Sequence, residues 1–132
     1  RPDGDTQVFV FPSPSSGRMQ RWLLKSKLHR ARVTGTEKDY EGSIAIDTGL
    51  LSAADIAVGE RVQVVNVTNG ERFETYTIEG DPGQVEINGA AARLAEPGDR
   101  IIVISYGLCA EDERPEPTVL MLDDENRVLE EK

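Results

Sequence analysis

Residues 60–79 read ERVQVVNVTNGERFETYTIE. Two runs rich in Val, Thr, Tyr, Phe and Ile flank the dipeptide Asn69-Gly70. β-Branched and aromatic side chains suit a pleated, half-buried surface. Asn-Gly takes up the left-handed backbone of a hairpin turn at little cost. The stretch therefore reads as two antiparallel strands, with Gly59 launching the first. Upstream, KLHRARVT (27–34) alternates. This puts Leu28, Arg30 and Arg32 on one face and His29, Ala31 and Val33 on the other. Gly35 to Gly42 is a polar connection, and SIAID (43–47) is a short strand. Ser52 is the expected N-cap of a one- to two-turn helix through Ala53, Ala54 and Ile56.

Downstream, Asp81-Pro82-Gly83 turns the chain into the strand QVEIN (84–88). Asn88-Gly89 then leads into a helical turn, AAARL (90–94). Glu96-Pro97-Gly98-Asp99 turns again into RIIVISY (100–106). An acidic, Pro-containing stretch (111–117) precedes a last strand, TVLMLD (118–123). The acidic tail 124–132 is expected to fray. AVGERVQVV (57–65) and EPGDRIIVI (96–104) share a glycine, an acid, an arginine and an apolar run, thirty-nine residues apart. Many short strands with glycine turns give an all-β fold. The echo suggests a barrel of two similar halves, and closure would remove exposed edges.

The length of 132 residues, 38% hydrophobic, suits one domain with one modest core. The formal charge is -9, and residues 111–132 supply nine acids against three bases. Clustered cations are what phosphate backbones need, so no nucleic-acid partner is expected. The near-balanced body, thirteen acids and ten bases over 19–110, leaves room for a local cationic pocket. One Cys excludes an intrachain disulfide and a cysteine-cluster zinc site, and one His excludes a two-histidine metal site. No metal is expected. No apolar run approaches bilayer length and no secretory pattern is present, so a soluble cytoplasmic protein with no membrane partner is expected. Residues 1–18, with three Pro and a Pro/Ser/Gly cluster, read as a mobile extension ahead of a domain spanning 19–123.

No P-loop, dinucleotide fingerprint or lipase-type nucleophile elbow is present. Taken singly, Lys27 and Arg72 read as surface charges, His29 as a structural histidine, Tyr76 as sheet packing and Asn88-Gly89 as a turn. Arg72 and Tyr76 share a strand face, roughly 13 Å apart along it.

The combination reads differently. MQRWLLKSKLHRARVT (19–34), DYEGSIAID (39–47), VNVTNGERFETYTI (65–78), INGAAA (87–92) and PGDRIIVISY (97–106) occur in order. Together they closely resemble the aspartate 1-decarboxylase family of small pyruvoyl enzymes. The resemblance implies a double-psi β-barrel with short helical turns, assembled as a homotetramer. It implies an inactive proenzyme that cleaves itself between Gly42 and Ser43, alone or with a helper protein. The Ser43 hydroxyl attacks the preceding carbonyl and turns the peptide into an ester. Elimination frees the Gly42 carboxylate and leaves dehydroalanine, and hydrolysis gives a ketone and ammonia. Gly42 is expected to let the backbone take a strained conformation next to the attacking oxygen.

The implied cofactor is thus a pyruvoyl group derived covalently from Ser43, with no pyridoxal phosphate. The implied activity is decarboxylation of L-aspartate at the α-carbon through a Schiff base, giving β-alanine and CO₂ for pantothenate and coenzyme A synthesis. Matched positions imply Arg72 as carboxylate clamp, Lys27 as a second cation and Tyr76 as proton donor. They imply Thr75 and Asn88 as residues orienting the Gly42 carbonyl or lining the pocket. Tyr40, His29 and the backbone at Ala90 and Ala91 are implied as maturation or pocket residues. The sequence departs from the family pattern in a segment 78–88 about two residues shorter than in some members, in Val65 where some carry an aromatic, and in the 1–18 extension. The alternative is an uncleaved double-psi barrel acting as a binding or structural module.

Overall fold

A computed structural model describes residues 19–132, and the expectations for residues 1–18 lie outside them. The elements are β1 (Gln20–Arg32), β2 (Gly35–Glu37), β3 (Ser43–Asp47), α1 (Thr48–Ala53), β4 (Arg61–Asn66) and β5 (Arg72–Gly80). They continue with β6 (Val85–Asn88), a 3₁₀ helix (Gly89–Leu94), β7 (Arg100–Ala110), β8 (Thr118–Leu122) and β9 (Val128–Glu131). The nine strands form one mixed sheet in the order β2-β6-β3-β5-β4-β7-β1-β8-β9. β1/β8, β2/β6 and β3/β5 pair in parallel, and the other neighbours pair antiparallel.

The 60–79 hairpin forms as its sequence directs, with Val65 opposite Arg72. Its turn is longer than two residues and is organised by Asn66, which is fully buried. The Asn66 carbonyl accepts from Gly70 N at 2.8 Å, and its side-chain Oδ1 accepts from Thr68 N at 2.9 Å. Gly70 has φ +83, the left-handed conformation expected of Asn-Gly turns. One row across the sheet, Leu28–Val103–Val64–Phe73, faces the core. Ile44, Ile46, Val85, Ile87, Ile101 and Leu120 join the same cluster.

Several local expectations are corrected. Strict alternation in 27–34 fails at a bulge: the register shifts between His29 and Ala31, and Arg30 has φ 66. The extra residue resets the phase. Leu28 and Ala31 are therefore both fully buried, while Arg30 and Arg32 are exposed. The 35–42 connection contains β2, which pairs with β6. The cap of α1 is Asp47 instead of Ser52. Its Oδ1 accepts from Gly49 N and its Oδ2 from Gly83 N, both at 2.7 Å, tying the helix start to the 81–83 turn. The tail does not fray throughout. β9 pairs with β8, and the buried Asn126 bonds to the β1 backbone at Arg32.

The echo is a real structural repeat. β3–α1–turn–β4 matches β6–3₁₀–turn–β7 in order, and each equivalent pair, β3/β6 and β4/β7, is antiparallel. Gly59 and Gly98 have φ +89 and +96. Glu60 N donates to the Ala57 carbonyl at 3.1 Å, and Asp99 N to the Glu96 carbonyl at 3.0 Å. Both carboxylates fold back onto the first N–H of their turn, at 3.0 and 2.9 Å. Among the described residues no helix is long and apolar enough to cross a membrane.

Candidate active site

Ser43 opens β3 and stands opposite Asn88 of β6. Ile44 and Ile46 face the core, so alternation turns Ser43 to the other side of the sheet. It is nevertheless fully buried. Its hydroxyl donates to the Glu41 carbonyl at 3.0 Å and accepts from Asn88 Nδ2 at 3.1 Å. Asn88 is also fully buried, and its Oδ1 has no hydrogen-bond partner. The bond between β3 and β6 thus carries a held hydroxyl, an aimed amide donor and one spare acceptor. Such a setting fits an oxygen-bearing group at position 43, because Asn88 Nδ2 is already directed there.

The parallel register of β3 and β5 pairs Ile44 with Thr77, which brings Tyr76 alongside Ser43 on the same face. Tyr76 is 39% exposed, so its phenol faces an open side. Thr75 stands opposite Val62 and points to the core side, away from Tyr76. Gly42 and Tyr40 are exposed, Ala90 is exposed and Ala91 half-buried at the start of the 3₁₀ helix.

The cations lie elsewhere on the outer face. Register aligns His29, Ile102, Val65 and Arg72 in one row, and Lys27, Ile104, Gln63 and Glu74 in the next. Val65 therefore stands directly beside Arg72. Lys27 and His29 are on β1, four strands from β3, or about 19 Å measured along the sheet. Along the sheet order Ser43, Asn88, Gly42 and Tyr76 are neighbours, and Lys27 and His29 lie four strands away. Burial holds the His29 imidazole below its ordinary value, and the neighbouring Lys27, Arg30 and Lys132 push it the same way. The direction favours the neutral imidazole.

Two features escape the sequence reading. Gly89 has φ +78, and a Cβ there would collide with the Gly42 backbone. Gly42 itself has no positive φ, and a Cβ there would meet nothing within 4 Å, so the expected strain at Gly42 is corrected. An outer-face cavity of about 710 Å³ is lined by Trp22, Lys25, Glu60, Arg61, Gln63 and Tyr106, among others, and by none of the expected site residues. Within it Lys25 Nζ meets Glu60 at 3.1 Å, and Ser105 donates to the same carboxylate. Burial alone would raise the Glu60 carboxyl. The bonds from Ser105, Ala57 N–H and Lys25 outweigh it and hold the group below the usual carboxylate value.

Comparison with known proteins adds the family. Residues 19–129 match the model described as aspartate decarboxylase. A Haloquadratum walsbyi protein named aspartate 1-decarboxylase is 81% identical over 112 residues, covering 85% of this chain and 98% of the relative. Proteins of the same name from Kosmotoga olearia and Hydrogenobaculum sp. are 52% and 50% identical, over 85% and 86% of this chain and 99% and 93% of their own. With the buried Ser43–Asn88 pair lying inside the matched region, the chain belongs to the aspartate decarboxylase family.

Proposed function

We propose that this protein is a pyruvoyl-dependent lyase that decarboxylates L-aspartate at the α-carbon to β-alanine and CO₂. The observation that carries the reading is Ser43: a buried hydroxyl held between Glu41 and Asn88, in a chain 81% identical to a relative named for this reaction. Ser43 supplies the group by attacking the Gly42 carbonyl. The Oγ–C bond forms, the C–N bond breaks and the hydroxyl proton passes to the freed nitrogen. Loss of the Ser43 Cα proton then expels the Gly42 carboxylate, and water releases ammonia. Neither hydrogen-bond partner of Ser43 is a strong base, so placement does the work.

When formed, the pyruvoyl ketone supplies an electron sink for the carbon that loses CO₂. The chain's own residues do the rest. Asn88 Nδ2 holds the Ser43 hydroxyl for the attack and would lie beside the ketone once it forms, with the backbone at Ala90 and Ala91 bordering it. Arg72 clamps a carboxylate with a planar fork. Lys27 offers a second cation. Tyr76 gives a proton to the α-carbon.

The repeat and the sheet order support a double-psi β-barrel over 19–123. The separation of Lys27 and His29 from Ser43 supports the homotetramer, in which one copy's cations meet the neighbour's Ser43. A helper protein for cleavage is compatible with the weak bases around Ser43. Denaturing mass analysis tests the reading: fragments ending at Gly42 and beginning at position 43 should appear, and Ser43→Ala should abolish them. Cleaved protein should release CO₂ from L-aspartate. A permanently intact chain would favour the uncleaved module, and cleaved protein without CO₂ release would refute the substrate.

A further inference from the structure

Gly42 is the glycine at the scissile bond, yet it shows no need to be one. Its φ is not positive and a Cβ there has open space. Gly89 is the reverse. A Cβ built on it would lie 2.5 Å from Gly42 Cα, 2.7 Å from Gly42 N and 3.3 Å from the Tyr40 carbonyl oxygen. These neighbours are backbone atoms, which cannot swing aside as a side chain does. Gly59 and Gly70 share the left-handed conformation, at φ +89 and +83, but a Cβ on either meets nothing within 4 Å. The left-handed backbone is thus common to several turns. The contact with the scissile segment sets Gly89 apart from these two.

Gly89 directly follows Asn88, which holds the Ser43 hydroxyl at 3.1 Å. Two consecutive residues therefore touch both reacting groups: Asn88 the nucleophile, Gly89 the backbone that carries the electrophilic carbonyl. We infer that Gly89 is a positioning residue for chain cleavage, seating the Gly42 backbone against the start of the 3₁₀ helix so that its carbonyl meets the Ser43 hydroxyl. The inference rests on the cleavage reading above. A methyl at position 89 must push Gly42 away by about 1 Å to reach ordinary contact, and misplacement of that size costs about 100-fold in rate.

The experiment compares full-length Gly89→Ala, Gly70→Ala and Gly59→Ala with wild type, following fragment 43–132 by denaturing mass spectrometry. Gly70→Ala carries the same backbone penalty without the contact. It should cleave at close to the wild-type rate, while folded Gly89→Ala should be about 100-fold slower. Gly59→Ala, a second left-handed glycine whose Cβ meets nothing within 4 Å, should also cleave at close to the wild-type rate. Hydroxylamine cleaves an ester and spares most peptide bonds, and its cuts at Asn69-Gly70 and Asn88-Gly89 give fragments of other masses. It should speed fragment release from wild type and not from Gly89→Ala, since the step lost is ester formation. Folded Gly89→Ala cleaving as fast as Gly70→Ala would overturn the inference. If Gly89→Ala is unfolded at the assay temperature, all four proteins are compared in trimethylamine N-oxide, which favours the compact state, and the same ratio decides. Wild type that cleaves but releases no CO₂ from aspartate would sink the proposed activity and leave these ratios standing. Wild type that never cleaves would sink both.

Discussion

Tyr76 and Arg72 sit four residues apart on one exposed face of β5, and the proposed reaction gives them separable tasks. Tyr76→Phe removes the proposed proton for the α-carbon and leaves the Ser43–Asn88 hydrogen bond without a lost partner. Cleavage should proceed normally while turnover of L-aspartate falls about 100-fold or more; wild-type turnover would move the proton to water or another group. Arg72→Lys keeps charge and loses the planar fork. kcat/KM should fall roughly ten- to a thousandfold, about 1.4–4 kcal/mol of transition-state stabilisation. Glu60 carries a pH signature instead. Its folded value lies below the unfolded carboxylate value, so its contribution is complete above the unfolded value and is lost as pH falls through the lowered folded one. Glu60→Gln should therefore cost about 1 kcal/mol at about pH 7, and the gap should narrow at about pH 3. Urea midpoints of both proteins at both pH values check this. At this scale Arg72 and Tyr76 read singly as a surface charge and sheet packing, and only the family motifs single them out together with Ser43. The sequence conceals Gly89, because a missing Cβ announces nothing until the backbone it meets is known.

Among the elements, β9 is held by a residue no alternation would select. Asn126 is 2% exposed, has φ 61 and sits in the tight turn before β9. Arg32 N donates to its Oδ1 at 2.7 Å, and its Nδ2 donates to the Arg32 and Gly83 carbonyls, both at 2.9 Å. One side chain thus joins β1, the 81–83 turn and the tail. Asn126→Ala removes three buried bonds and strains a left-handed position, and should cost about 2–4 kcal/mol in denaturant unfolding. Asn126→Gly relieves the strain alone and should recover only a minor part. A loss below about 0.5 kcal/mol would mean the tail is an ornament on the sheet. The hairpin was open to reading because Asn69-Gly70 and its β-branched flanks are local signals. The Arg30 bulge was not, because one inserted residue shifts the phase without changing composition. β9 was hidden for a related reason: VLEE is exposed along its whole length, so no buried face marks it.

For the molecule as a whole, the repeat was legible from Gly59-Glu60-Arg61 and Gly98-Asp99-Arg100, since a launched strand needs the same turn twice. The family match begins at residue 19, so deleting residues 1–18 should leave assembly and cleavage nearly unchanged. Size-exclusion chromatography with mass analysis checks this, and a change in either would give the segment a packing role. Substrate recognition poses the larger question. A net charge of -9 cannot draw in an anionic amino acid at long range, so its carboxylates must be met by nearby cations. Lys27 lies four strands from Ser43 in its own chain. A site that uses both is most economically closed by a second copy, as isologous contacts allow. Ser43→Ala has no pyruvoyl group, and Lys27→Ala lacks the cation, so each alone should be nearly inactive. Co-expressed in equal amounts, they should form mixed assemblies, tetramers on the proposed reading. A site built from Ser43 of one copy and Lys27 of another is then intact whenever the first is Lys27→Ala and the second Ser43→Ala. Random assembly gives that arrangement at about a quarter of sites, and activity should recover to about a quarter of wild type. A site built within one chain can never regain both residues by mixing. Co-purified mixed tetramers as inactive as their parents would therefore place Lys27 and Ser43 in the same copy.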